Sequence, residues 1–420
     1  MRPQQCLFMC LALLVCGVQA VNFEFETNTF PSCTLTCDKQ LTTSNCSLAT
    51  NESCFCQHAD IASSVLDCAE AHCSVKDYFT TYRLYENVCN IPKMHGPPLV
   101  SASTLIPTLL AIFFFFARIY AKAIGLGGGW GWDDYTIIVS FILGIAFYAG
   151  YTLTIVHGSG MNIWDIPFDH INQFYQSFQA IAIMYKIQIS LAKISVCLFL
   201  LRIFHTRPFR YTAYLLILAN ASIGLCWAFV DSFRCIPTRL TWLGWQGEET
   251  GRCINFIVSI LVNCLANIAV DSVLILLPVF EVVKLQLPLK KKIAVATMFA
   301  VGSVLTVVAI IRAVVFWRNR WGVNQTKGLY PLLRWSLIEV EISVMCACLP
   351  AFRALMGRFF PALVGSERRT YATHTMEGYS RHTGHPSNIN KSVSYSVNYH
   401  TRSETHSVVE LVDVNGKERV

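Results

Sequence analysis

The sequence predicts an all-α protein: a small disulfide-rich helical extracellular module, a seven-helix transmembrane bundle and a disordered C-terminal tail. Three observations predict it. Eight cysteines, Cys33, Cys37, Cys46, Cys54, Cys56, Cys68, Cys73 and Cys89, crowd one early stretch. Seven apolar segments follow between 99 and 355, each near the roughly 20 residues a helix needs to cross a bilayer. Beyond them the chain turns to Ser, Thr, His, Asn and Tyr, with few large apolar side chains to bury. The predicted organisation is a signal peptide at 1–20, a cysteine module at 21–95, the bundle at 96–360 and the tail at 361–420.

Composition supports this division. Apolar residues make up 54% of the chain and charged ones 14%, against about 25% charged in a soluble domain. The formal charge of +7 does not point to nucleic acid. The positive residues gather at helix ends and make no basic face with interleaved aromatics.

The leader has one early charge, Arg2, an apolar run over 7–18, and the ending Val18-Gln19-Ala20. Small residues at the two positions read by signal peptidase predict cleavage after Ala20. The cysteines that follow then sit in an oxidising compartment, where disulfides persist.

Cys33 and Cys37 are four apart, and Cys68 and Cys73 five apart. On helices both spacings put two thiols on one face. Two such helices packed antiparallel could be stapled Cys33–Cys73 and Cys37–Cys68, with Cys46–Cys54 closing a short loop and Cys56 taking Cys89. Eight cysteines allow about 105 connectivities, so spacing alone leaves the pairing open. So short a module builds a small core, and crosslinks worth about 2–4 kcal/mol each supply the missing stability.

Pro31-x-Cys33, the Cys54-x-Cys56 pair and the ordered set of eight resemble the fungal CFEM domain over 31–89. The resemblance implies the same antiparallel staple pattern. It also implies haem binding in those members that place an aspartate three residues before the Cys-x-Cys pair. Here that residue is Asn51, and a neutral amide is a poor iron ligand. No cofactor and no metal site are therefore expected, with haem or iron acquisition kept as the alternative function. Asn51 also opens the sequon Asn51-Glu52-Ser53. With Asn45 and Asn324 it makes three expected outer glycosylation sites.

The seven spans are read at 99–123, 134–156, 174–204, 211–233, 254–283, 293–317 and 329–355. A cleaved leader puts the amino end outside, and seven crossings put the carboxyl end inside, at the plasma membrane. Arg202, Arg207 and Arg210, and Lys284 with Lys290 to Lys292, lie on the expected inner side. Arg318, Arg320 and Lys327 depart from that rule. Cys235 and Cys253 share an outer loop and are expected to pair.

Several motifs mark the spans: Trp132-Asp133-Asp134-Tyr135, Lys193-x-Ser195, Cys235-x-Pro237, Gly251-Arg252-Cys253, Asp271 with Leu277-Pro278, Gly302 with Arg312, Ile338-Glu339 and Cys348-Leu349-Pro350. They resemble the fungal rhodopsin-domain or Pth11-like receptors, related to the SAT4 family, over 99–355. That resemblance implies a cell-surface receptor for external or host cues. Its implied partners are cytoplasmic signalling proteins, G proteins among them, with a role in infection or surface recognition. The third span ends Leu201-Arg202-Ile203-Phe204 and the seventh has no Asn-Pro-x-x-Tyr, so animal-receptor coupling does not transfer. The last span has no lysine for a retinal Schiff base within 329–355.

Charge at the bilayer centre is expensive and marks function by default. Lys186, Lys193, Asp271, Arg312, Glu339 and Glu341 all fall inside spans. With a rise of 1.5 Å per residue, Lys186, Asp271 and Glu339 lie about 24, 20 and 21 Å above inner basic residues, and Lys193 and Glu341 about 13 and 18 Å. A polar core of Lys186, Lys193, Asp271, Glu339 and Glu341 is expected, with Lys186 paired to Asp271 or Glu339. His157, His170 and His205 stay near span ends, and no nucleophile–base or metal constellation suggests an enzyme.

Overall fold

The computed structural model describes residues 23, 29–41, 46–48, 51–126, 129–284, 289–319 and 323–359, with the side chains of 282–298 and 301 left out. The leader at 1–20, Asn45 and the tail at 361–420 lie outside the described residues.

The module is four helices: α1 (Ser32–Leu41), α2 (Glu52–Gln57), α3 (Ala59–His72) and α4 (Val75–Val88). Asn51 caps α2, its Oδ1 accepting the Cys54 N–H, and Ser74 caps α4 through the Asp77 N–H. Phe55, Ala62, Val65, Leu48 and Cys37 form a small buried core. Asp38 takes the Ser47 hydroxyl at 2.6 Å and the Leu48 N–H at 3.0 Å, tying the loop back to α1. The structure pairs Cys33–Cys73 and Cys37–Cys68 between α1 and the end of α3, Cys46–Cys54 across the loop, and Cys56–Cys89 between α2 and the end of α4.

Seven long helices follow: α5 (Ala102–Ala123), α6 (Trp132–Val156), α7 (Phe168–Ile203), α8 (Arg207–Ser232), α10 (Phe256–Lys284), α11 (Leu289–Asn319) and α12 (Gln325–Phe359), with the short α9 (Leu240–Leu243) between α8 and α10. Helix α6 starts where Asp133 and Asp134 meet the positive end of the helix dipole, and Asp134 Oδ2 accepts the Gly131 N–H at 3.0 Å. Helix α7 is the axis, packed against α6, α8 and α12. Gly224 lets α8 come close to it: a Cβ there would fall on the Ser190 side chain and 3.3 Å from the Lys186 carbonyl.

Six of the long helices are apolar and long enough to cross a membrane, among the described residues. Helix α12 has the length, but it carries Lys327, Arg334, Glu339, Glu341, Arg353 and Arg358. Its inward charges are instead sheltered by neighbours, with Glu339 0% and Glu341 4% exposed. Outward, the bundle shows Leu109, Phe113 and Phe116 on α5, Leu215, Leu218, Leu225 and Phe229 on α8, and Val262 and Leu265 on α10. Such an apolar belt would aggregate in water, and lipid satisfies it.

Cys235–Ile236 and Arg252–Cys253 form a two-residue antiparallel ladder, crosslinked by Cys235–Cys253. Module and bundle share one apolar core: Tyr78 and Phe79 of α4 join Phe147, Tyr151, Phe174 and Phe178. Phe79 stacks on Trp245 at 5.9 Å, Tyr82 meets Trp164 at 4.0 Å, and Lys76 pairs with Glu248 at 2.7 Å. Trp245 is itself held by Asn172, whose Oδ1 accepts the indole N–H at 2.8 Å.

This interface has a built-in pH dependence. Burial pushes the Glu86 carboxyl above its ordinary range, and Asp165 across the interface adds to the push. Burial likewise raises Asp165. Lys93 acts on both carboxyls in the opposite sense, as does Lys327 on Glu86 and Arg83 on Asp165, without reversing either shift. A carboxyl with a raised folded pKa binds its proton more tightly in the folded state. Its favourable contribution is therefore full at low pH and lost as pH rises from the ordinary carboxyl range through the raised one. Full-chain thermal stability should fall as pH rises above the ordinary carboxyl range, and Glu86→Gln with Asp165→Asn should flatten that fall. An unchanged slope in the double variant would refute the assignment.

Candidate functional site

The intramembrane charges form a ladder between α7 and α10. Lys186 and Lys193 are seven residues apart on α7, and Asn263, Asn267 and Asp271 recur every four on α10, so each set occupies one helix face. Lys186 Nζ donates to Asn263 Oδ1 at 2.7 Å. Asn267 Nδ2 donates to that same oxygen at 3.2 Å, and Lys193 Nζ donates to Asn267 Oδ1 at 3.1 Å. Lys193 ends the run on Asp271 Oδ1 at 2.8 Å. Beside its upper end, Arg312 of α11 meets Glu339 of α12 at 2.7 Å. The Tyr185 ring carries both cations, Lys186 Nζ at 5.4 Å and Arg312 Cζ at 4.7 Å from its centre.

This corrects the expected pairing. Lys186 joins neither Asp271 nor Glu339; its nearest carboxylate is Asp231 at the end of α8, 4.0 Å away. Asp271 belongs to Lys193, and Glu339 to Arg312. Glu341 stands apart from the ladder: it faces α5, where Thr108 Oγ1 donates to it at 3.3 Å. Counting rise from Arg202 and Lys284 ranks residues within each helix but takes those two residues as one level, and the contacts place Lys193, not Lys186, at the height of Asp271. Asn263 and Asn267 escaped the sequence reading because they carry no charge. Their four-residue spacing ahead of Asp271 was the signal that could have found them.

Two small cavities of about 40 Å³ flank the ladder. One, toward the module, is lined by Phe178, Tyr185, Lys186, Asp231, Phe256 and Arg312 among others. The second lies beside Lys193, Asp271, Gly302, Ser343 and Cys346.

At the end far from the module, four helices meet in a charge clasp. Arg118 of α5 donates from Nη2 to Asp133 Oδ2 at 2.6 Å and Asp134 Oδ1 at 2.8 Å. Its Nε adds a bond to Asp134 at 3.0 Å, and Nη1 bonds the Ala347 carbonyl of α12. Lys122 holds Asp134 Oδ2 at 2.8 Å, and Arg202 of α7 lies 3.9 Å from Asp133. Ser195 Oγ donates to the Asp133 carbonyl at 2.7 Å. A cavity of about 270 Å³ opens beside the clasp, lined by Arg118, Lys122, Phe199, Arg202, Ile203, Pro350 and Ala351. The paired aspartates and Ser195 were legible as motifs. Arg118 and Lys122 were hidden at what reads as an ordinary positive helix end.

In the module, the Asn51 carbonyl turns to the Cys54 N–H at 3.2 Å. A neutral amide spent on a helix start does not fit an iron ligand. The sulfurs of Cys37 and Cys68 gather near His72, and those of Cys46 and Cys54 near His58, yet all four sulfurs are disulfide-bonded and none is a thiolate. Asn324 is engaged in packing: its Nδ2 donates to Asn162 Oδ1 at 2.9 Å and its Oδ1 accepts the Ile163 N–H at 3.0 Å. Thr326 of the same sequon is buried and donates to the Met161 carbonyl. That geometry is unlike a free glycan acceptor.

The fungal rhodopsin domain family matches residues 117–358, and the CFEM domain matches 26–90. A SAT4 family membrane protein of Emericella nidulans is 27% identical over 256 residues, 60% of this chain and 63% of that relative. The polyenoic acids biosynthesis gene cluster protein Ba17b of Metarhizium anisopliae is 23% identical over 278 residues, 61% of this chain and 73% of the relative. Receptor GIN3 of Arthrobotrys oligospora is 25% identical over 294 residues, 64% of this chain and 67% of the relative. The match thus spans less than two thirds of the SAT4 family relative's length. No solved structure matches.

Proposed function

The chain belongs to the fungal rhodopsin domain family of membrane proteins, and from that premise we propose that it is a cell-surface receptor rather than an enzyme. In this reading the CFEM module faces outside at the plasma membrane and receives an external or host cue. The far end of the bundle, with its clasp and the tail beyond 360, faces cytoplasmic partners, G proteins first among those to test. Infection or surface recognition is the setting the reading favours.

One observation carries it: a single apolar core runs from α4 of the module into the bundle, directly above the charged ladder. A displacement of the module therefore reaches α7 without a flexible joint. The named relative GIN3 is called a receptor, which agrees in kind. The module is read as working without haem, since Asn51 is committed to the α2 cap.

The test has two parts. An epitope in the module should stain on intact cells, and one after Val420 only after permeabilisation. Cells carrying the protein should give a second-messenger response to hydrophobic-surface or host cues that cells lacking it do not give. Surface staining of both epitopes would overturn the topology, and identical responses would overturn the receptor.

A further inference from the structure

We propose that the cavity beside the clasp holds the head group of an anionic lipid, a phosphate monoester seated on Arg202. The inference goes beyond the receptor reading and does not depend on it.

The cavity wall carries charge of one sign. Arg118, Lys122 and Arg202 line it, and no carboxylate does. Their carboxylate neighbours, Asp133 and Asp134, are not among the lining residues. Three cations over two carboxylates leave the clasp one positive charge in excess.

The excess falls on Arg202. Arg118 is spent on both aspartates and the Ala347 carbonyl, and Lys122 on Asp134. Arg202 Nη2 donates to the Gly129 carbonyl at 2.8 Å, but its Nη1 lies 3.9 Å from Asp133, beyond hydrogen-bond reach. Its side chain is 36% exposed. The rest of its donor fork is open to a ligand, and that fork matches the oxygens of a phosphate.

Depth makes the ligand a lipid. Trp132 directly precedes Asp133, and Tyr120 stands between Arg118 and Lys122 in the chain. Both are exposed, as are Trp130 and Tyr135, and the two indoles meet the Tyr135 ring at 6.3 and 6.1 Å. Exposed Trp and Tyr collect at the head-group level of a bilayer. A basic pocket between helices at that level is placed to take lipid phosphates. The other walls, Phe199, Ile203, Pro350 and Ala351, are apolar, and Ile203 is exposed beside Arg202. They suit the glycerol and first acyl carbons. The volume of about 270 Å³ is many times the roughly 30 Å³ share of one water, which leaves room for a phosphate and its glycerol. A choline head group is disfavoured, because its ammonium would add a positive charge to a wall already in excess.

Native mass spectrometry of the full chain in neutral detergent, titrated with dioleoyl phosphatidic acid, reads the bound lipid. Saturable binding is expected, with dioleoyl phosphatidylcholine weaker by roughly tenfold or more. Arg202→Gln should weaken phosphatidic acid by about fivefold or more. Ala351→Met, which fills the cavity and leaves charge unchanged, should weaken it as well. Arg239→Gln removes an exposed cation away from the cavity, one paired with Glu249, and should leave binding as it was. If Arg202→Gln fails to accumulate, Ala351→Met and the lipid series carry the test. Equal binding of the two lipids, or equal weakening by Arg239→Gln, would mean general attraction to a basic surface and would overturn the proposal. Wild-type binding by both Arg202→Gln and Ala351→Met would overturn the site. Inorganic phosphate displacing the lipid at equal concentration would assign the cavity to the free anion and overturn the lipid.

Discussion

Arg118→Met should remove most of the protein from the cell surface. Arg118 is 1% exposed and bonds Asp133, Asp134 and the Ala347 carbonyl, so it ties α5, α6 and α12 together. Methionine fills the space but leaves two carboxylates short of their main counter-charge. Lys122 still holds Asp134, while Arg202, 36% exposed, sits 3.9 Å from Asp133 and compensates poorly. Breaking one side of a buried pair costs about 3–5 kcal/mol, a large part of the 5–15 kcal/mol that holds a typical domain folded. Lysine at 118 should be intermediate, because a single ammonium cannot make the forked contacts of a guanidinium. Arg118→Met with Asp133→Asn should recover part of the loss. Surface biotinylation and thermal stability in detergent measure it. Wild-type levels for Arg118→Met would mean that the clasp is not holding the far end closed.

The second large effect is at the ladder. Lys193→Met alone should cost about 3–5 kcal/mol, because Asp271 is then a buried carboxylate with no counter-ion. Asp271→Asn alone should be similarly damaging. The double variant should be less damaging than the sum of the two, since the partners share one interaction. Lys186→Met should be milder, its carboxylate lying 4.0 Å away, and Asp271→Asn should not rescue it. Surface level and thermal stability of the four variants settle the pairing. If Asp271→Asn rescues Lys186→Met and not Lys193→Met, the ladder is wrongly registered. If the double variant at 193 and 271 reaches the surface but no longer answers a cue, the pair carries signal as well as structure.

The clasp shows how far sequence reasoning reached. Asp133 and Asp134 stand out as a pair opening an apolar span, and their place at the start of α6 follows from the helix dipole. Their partner Arg118 sits fifteen and sixteen residues earlier, on the preceding helix. It reads there like any positive residue near a helix end. Nothing local distinguishes a lysine or arginine that snorkels to the interface from one turned inward.

By itself the sequence determined the cysteine module, the long apolar helices and the set of charges inside them. Those properties are local: thiol spacing, runs of apolar residues and helix rise are all counted along one chain segment. Which charge meets which was decided only by tertiary structure. Lys186 and Asp271 lie on facing stripes but about 12 Å apart in height: Lys186 meets Asn263, eight residues before Asp271, while Lys193 meets Asp271 because of how far α7 and α10 are shifted along one another. The docking of α4 onto Trp164 and Trp245 was decided the same way. A side chain's height within its own helix follows from its number, but how far one helix is shifted and rotated against the next is set by packing against neighbours.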